Sequence, residues 1–147
     1  MKWNETAYGV DIQGDTAVLV RATVLRGKLA FTSCGLEEVT RAGTGSDQVA
    51  LAAAMPPRRS ITQQIEAPYT SRRKAMKVFP TILDIQLPFA LEECVYDLLR
   101  VSRSDDRGGL TSLAVVARKT DVSDAIQTFQ SRGFDATSLD HEGLALW

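Results

Sequence analysis

The sequence predicts an α+β fold in two parts, a β-meander in front and a β-α-β-β-α-β segment behind it. Three observations carry this reading. Residues 7–13 and 16–26 are apolar or alternating runs rich in Val and Leu, separated by Gly14-Asp15. That is a hairpin signal, because glycine takes the positive φ that a two-residue turn demands. Arg26-Gly27-Lys28 then turns the chain again, and residues 29–35 supply a third strand. From residue 60 onward, stretches of period two and period 3.6 follow one another in the order β-α-β-β-α-β, the split βαβ arrangement of ferredoxin-like folds.

Each element has its own warrant. Residues 40–47 (TRAGTGSD) read as a loop from their composition. Residues 48–55 (QVALAAAM) fit a short helix by alanine propensity and a buried strand by length and apolarity. Residues 60–67 read as a strand that ends at Pro68, and Thr70 or Ser71 can cap the helix that follows. That helix carries Ala75, Val78, Phe79, Ile82 and Leu83 on one stripe. Pro80 lies within it and predicts a kink, and Pro88 ends the segment. Residues 93–103 form a strand with Cys94, Tyr96, Leu98 and Arg100 on one face. Residues 104–109 (SDDRGG) are a turn, and residues 110–118 a central strand rich in Val and Ala. Asp121 is placed as the cap of a second helix, with Val122, Ala125, Ile126 and Phe129 inward and Gly133 as its C′ residue. Residues 134–139 complete the pattern as a last short strand.

Composition bounds the function. In 147 residues, 44% are hydrophobic, enough to build a core. The formal net charge of -1 argues against non-specific nucleic-acid binding, and Arg58-Arg59 and Arg72-Arg73-Lys74 are clusters rather than a stripe. Cys34 and Cys94 lie far apart with no CxxC spacing and no histidine nearby, which reads as two reduced thiols rather than a metal site or a disulfide. No apolar run reaches the roughly 20 residues that span a bilayer, and the first residues carry no signal-peptide core. The chain reads as cytoplasmic. Its apolar last residues, Gly143-Leu144-Ala145-Leu146-Trp147, predict one half of a larger fold.

Four stretches, taken in order, carry a family resemblance. Gly9-Val10-Asp11-Ile12 resembles the opening strand and aspartate of actin-like ATPase folds. Ile65-Glu66-Ala67-Pro68 looks like a strand ending in proline before an inserted helix. Asp84-Ile85-Gln86-Leu87-Pro88-Phe89-Ala90-Leu91-Glu92-Glu93 is the most specific of the four. Leu139-Asp140-His141-Glu142, followed by Leu144-Ala145-Leu146, looks like the aspartate and helix that lead back to the first subdomain. Together they resemble the PilM family of type IV pilus assembly proteins and the related GspL cytoplasmic domain of type II secretion, with FtsA a more distant look-alike. The resemblance covers nearly the whole chain but about half of such a family member.

The resemblance implies a partial actin-like (ribonuclease H-like) subdomain at residues 1–58, an inserted ferredoxin-like βαββαβ subdomain at 59–140, and the start of a return helix at 141–147. It makes residues 48–55 a strand, with the 40–47 loop in place of a preceding helix. It also makes Asp11, Gln13, Gly14, Asp15 and Thr16 a degenerate phosphate loop. Gln13 stands where the family has a glycine, and Val18 where it has a lysine. A side chain at the first position hinders the approach of backbone amides to phosphate, and the second change removes a charged contact. Without the resemblance, Asp11 reads as a turn aspartate.

The other candidates read as structure. His141 has no nucleophile partner, and its plain reading is an exposed residue at a helix start. Glu92-Glu93, if adjacent on a strand, point to opposite faces and form a solvated edge rather than an acid pair. Arg72-Arg73-Lys74 reads as a polar face near a helix start, with anionic lipid as its functional alternative. Trp3 and Trp147 read as packing residues. The leading expectation is a non-catalytic scaffold, with no cofactor and no metal. Its implied partner is the cytoplasmic peptide of a bitopic PilN-like inner-membrane protein, bound in a preformed groove. Two alternatives stay open: an actin-like ATPase using ATP and Mg, which needs the missing second half, and a free-standing ferredoxin-like module. A half-fold leaves apolar surface bare, which predicts self-association or strand exchange.

Overall fold

A computed structural model describes residues 6–37, 39, 50–104 and 108–145. Strands β1 (Thr6–Gln13), β2 (Thr16–Leu25) and β3 (Lys28–Ser33) form the expected meander. Next come β4 (Ala50–Met55), a 3-10 turn at Pro57–Arg59, β5 (Ser60–Ala67) and helix α1 (Arg72–Gln86). A second 3-10 turn (Leu91–Glu93), β6 (Cys94–Arg103), β7 (Leu110–Arg118), α2 (Lys119–Ser131), β8 (Ser138–His141) and α3 (Glu142–Ala145) complete the order. The α+β class, the strand at 48–55 and the stripe on α1 are all as the sequence reads. The 40–47 loop, Trp3 and Trp147 lie outside the described residues.

The chain forms two compact units, one of residues 1–56 and 123–147, the other of 57–122. The first holds a five-stranded sheet in the order β3-β2-β1-β4-β8. The β1–β2 and β2–β3 pairs are antiparallel, and β4 is parallel to both β1 and β8. This is the full strand set of a ribonuclease H-like sheet. One face is packed: Tyr8, Val10, Leu19, Leu51 and Ala53 are buried with Val39, Phe129 and Phe134. Strand alternation puts Val18, Val24, Leu29 and Phe31 on the opposite face, where they are 47–67% exposed.

The second unit is a three-stranded antiparallel sheet, β5-β7-β6, with α1 against it. Its core is Ile65, Ala67, Ala75, Phe79, Leu83, Leu110, Ala114 and Val116. Ala75, Phe79 and Leu83 recur every four residues, so one helix stripe enters the sheet. Gly109 lets β7 begin against the Ala67 carbonyl, because any Cβ at that position would collide with it.

The inserted unit therefore ends at residue 122, not 140, and is βαββ rather than βαββαβ. The last strand starts at Ser138 instead of residue 134, and it pairs with β4, not with β5. Two local features fix this. Thr137 brackets Leu51: the Leu51 N–H donates to Thr137 Oγ1 at 3.0 Å, and the Thr137 N–H donates to the Leu51 carbonyl at 2.8 Å. Phe129 and Phe134 are buried in the first unit's core, which holds the end of α2 there. Residues 60–140 are accordingly not a free-standing module. Helix α2 also starts two residues before Asp121, which sits inside its first turn. Gly133 closes α2 as expected, with φ +83°. The Phe134 N–H reaches Phe129 O at 3.0 Å and the Gly133 N–H reaches Gln130 O at 2.9 Å, the paired bonds of a Schellman cap.

Candidate functional site

The carboxyl ends of β1, β4 and β8 lie together at one end of the first sheet, the usual ligand side of parallel strands. The Gly14-Asp15 turn joins β1 to β2, with Gln13 paired to Thr16. Gly14 has φ +60° and Asp15 is not among the positive-φ residues, a pattern that fits a type II′ turn. Asp11 and Gln13 fall on one face by the period of two, and their side chains meet. Gln13 Nε2 donates to Asp11 Oδ2 at 2.7 Å. Gln13, Gly14, Asp15 and Thr16 are exposed, and Asp11 is half-buried.

Arg132, which sequence reasoning passes over, also reaches this turn. Its Nη2 donates to the Gly14 carbonyl at 2.7 Å and stands 3.8 Å from Asp15 Oδ1. Nothing in its local sequence marks it, since it lies 118 residues from Gly14 and is positioned by the cap of α2.

Asp140 enters from β8. Val10 pairs with Ala53, and Ala54 pairs with Asp140, so Asp11 and Asp140 lie one row further on, either side of β4. Two strand spacings separate them by about 10 Å. At that distance they share no proton, and no cluster of three or more metal-ligating side chains occurs among the described residues. The Asp140 carboxylate accepts from the His141 N–H at 2.7 Å.

His141 is half-buried at the end of β8, where the sequence reading has it exposed. Its Nδ1 accepts from the Leu144 N–H at 3.2 Å, which caps the short α3. Glu92 and Glu93 lie in a 3-10 turn rather than on a strand, and both are exposed. Arg72, Arg73 and Lys74 are exposed in the first turn of α1, where the helix dipole does not favour cations.

A triphosphate needs amide or cationic donors aimed at it. Asp15 in the turn, Asp11 on β1 and Asp140 on β8 put carboxylates at this end of the sheet, and the nearby Arg132 guanidinium is already bonded to Gly14. Val18 gives no charge, and the Gln13 amide is turned onto Asp11. Among these side chains the cationic donor is Arg132, already bonded to the turn.

No protein-family model and no curated protein matches the sequence. Among solved structures, the chain is similar to the cytoplasmic domain of EpsL, an inner membrane component of the type II secretion system of Vibrio cholerae. The TM-score is 0.56 at 15% identity, over 91% of this chain and 56% of that one. It is also similar to a chain of the PilM-PilN type IV pilus biogenesis complex. There the TM-score is 0.62 at 15% identity, over 95% of this chain and 48% of that one. The chain has the fold of these proteins. It spans about half the length of each. The resemblance read from the four sequence stretches is thus met at the level of fold.

Proposed function

We propose that this chain belongs to an inner-membrane assembly of the type IV pilus or type II secretion kind and acts there as a non-catalytic scaffold. It sits on the cytoplasmic side and holds the cytoplasmic segment of a bitopic, PilN-like membrane protein. The observation that carries the reading is the fold likeness, over 95% of the chain, to a component of a complex named for PilM and PilN. The Asp11–Gln13 hydrogen bond supports the non-catalytic half, because it engages one oxygen of the aspartate that would hold a metal-bound water. No helix of the described residues is long and apolar enough to cross a membrane.

The test is a fluorescence anisotropy titration with a labelled peptide copied from the cytoplasmic tail of the bitopic protein encoded beside this one. Saturable binding below ~100 μM, equivalent to about -5.5 kcal/mol, supports the proposal. A flat titration to that concentration contradicts it.

A second reading, an actin-like ATP-binding protein, rests on one observation: Asp11 and Asp140 share a row at the carboxyl ends of parallel strands. It requires Mg-ATP to bind once the remainder of such a fold is supplied. Self-association belongs with the first reading and rests on the bare face of the first sheet.

A further inference from the structure

The second unit contains a basic pocket that neither reading uses. Its volume is about 260 Å³, and Arg58, Arg59 and Arg118 line it with Asp121 over a floor that includes Ile61 and Phe89. The arginines converge because Ser60 pairs with Ala117, which brings the 3-10 turn before β5 beside the end of β7. The Arg118 guanidinium lies 4.5 Å from the centroid of the Phe89 ring, a cation–π contact that holds it in place. Among the described residues, none of the three arginines is paired with a carboxylate. Three guanidinium groups against one carboxylate leave a net positive cavity, and an anion would relieve their mutual repulsion.

The pocket also opens onto a free strand edge. β5 is the outer strand of its sheet, so one side of its backbone has no strand partner among the described residues. This is the edge that a ferredoxin-like fourth strand would cover, and β8 lies in the other sheet instead. The edge begins at Ser60, itself part of the pocket lining, and runs through the exposed Thr62, Gln64 and Glu66. An unprotected edge is a template for an added strand.

We propose that an extended acidic segment of a partner protein pairs with β5 and places an Asp or Glu carboxylate in the Arg58, Arg59 and Arg118 pocket. A peptide fits better than a free phosphate or a lipid headgroup for two reasons. Asp121 disfavours a dianion over a single carboxylate, and the apolar floor suits a side-chain stem. The unpaired backbone next to the pocket offers hydrogen bonds that only another polypeptide can return. Glu66 at the far end of the edge places the acidic residue at the Ser60 end. This site is independent of the proposed PilN-like tail, so the two stand or fall separately.

The test uses the full chain and a labelled peptide with one terminal glutamate, Glu-Val-Thr-Val-Thr-Val-Thr or its reverse, blocked at both ends. The same peptide with Gln for Glu, and inorganic phosphate, serve as controls. The Glu peptide should bind at least tenfold more tightly than the Gln peptide at low salt, and added salt should narrow that gap. Amide exchange should slow along residues 60–67. The double variant Arg58→Glu/Arg59→Glu, and the milder Arg58→Gln/Arg59→Gln, should both erase the preference. Any one of four results overturns the proposal: equal binding of the two peptides, a preference that survives in both variants, phosphate binding without peptide binding, or no binding by either peptide.

Discussion

Arg26 and Gly133 are the two residues whose backbone angles make the sharpest stability predictions. Arg26 has φ +51° and Gly27 φ +76°, the two positive values of a type I′ turn. A left-handed conformation costs a β-carbon-bearing residue roughly 1 kcal/mol, and asparagine tolerates it better. Arg26→Asn should therefore raise the urea midpoint, by about 0.5 kcal/mol in stability. An unchanged or lower midpoint goes against the turn assignment. Gly133 is the reverse case. Gly133→Ala strains the Schellman cap and should cost about 1 kcal/mol, or roughly 3 °C in melting temperature. The Asp11–Gln13 pair could not be read from sequence, because alternation puts both residues on one face but does not say where the Gln13 amide goes. Arg132 was equally hidden, because a contact to a turn 118 residues away leaves no local trace.

At the scale of elements, strong periodicity was legible and strand allegiance was not. The strand at 60–67 and the α1 stripe follow from alternation and 3.6-residue spacing, and both stand at the residues the sequence marks. The strand at β8 was legible as a strand, but its partner was not. Four residues carry too little pattern to choose between two sheets. Thr137, bonded to Leu51 across 86 residues, and the buried Phe134 make the choice. The same limit made the inserted unit look as though it ran on to residue 140, where it ends at 122. Within that unit Phe79 is fully buried between α1 and the sheet. Phe79→Ala should cost ~3–5 kcal/mol by denaturant unfolding.

Cys94, at the start of β6, is the element-scale pH probe. Burial pushes its thiol above the ordinary value, the Glu93 carboxylate adds to the shift, and Arg118 and Lys119 oppose it. The thiol also donates to the Ala90 carbonyl at 3.5 Å. A pKa raised by folding favours the folded state below the unfolded-state pKa, and that contribution is lost as pH rises through the folded value. Stability should therefore fall with pH above about 8.5, and more gently in Cys94→Ala. Thiol labelling of the native protein should modify the half-buried Cys34 before Cys94. Equal labelling rates would contradict the burial argument.

For the whole molecule, the two units make different demands. The second has α1 against one face of its sheet and a core of its own. The first has a complete strand set but one bare face, with Val18, Val24, Leu29 and Phe31 exposed. Light scattering should show mass above that of a monomer at micromolar concentration, and Leu29→Ser/Phe31→Ser should lower it. A strictly monomeric wild type removes this prediction.

The proposed function has this fold hold a protein segment rather than a nucleotide. Titration calorimetry on one preparation tests it most directly, with Mg-ATP and the partner's cytoplasmic tail injected in turn. The account predicts flat heats for Mg-ATP and a saturable isotherm for the tail. A saturable Mg-ATP isotherm with a silent peptide would contradict it.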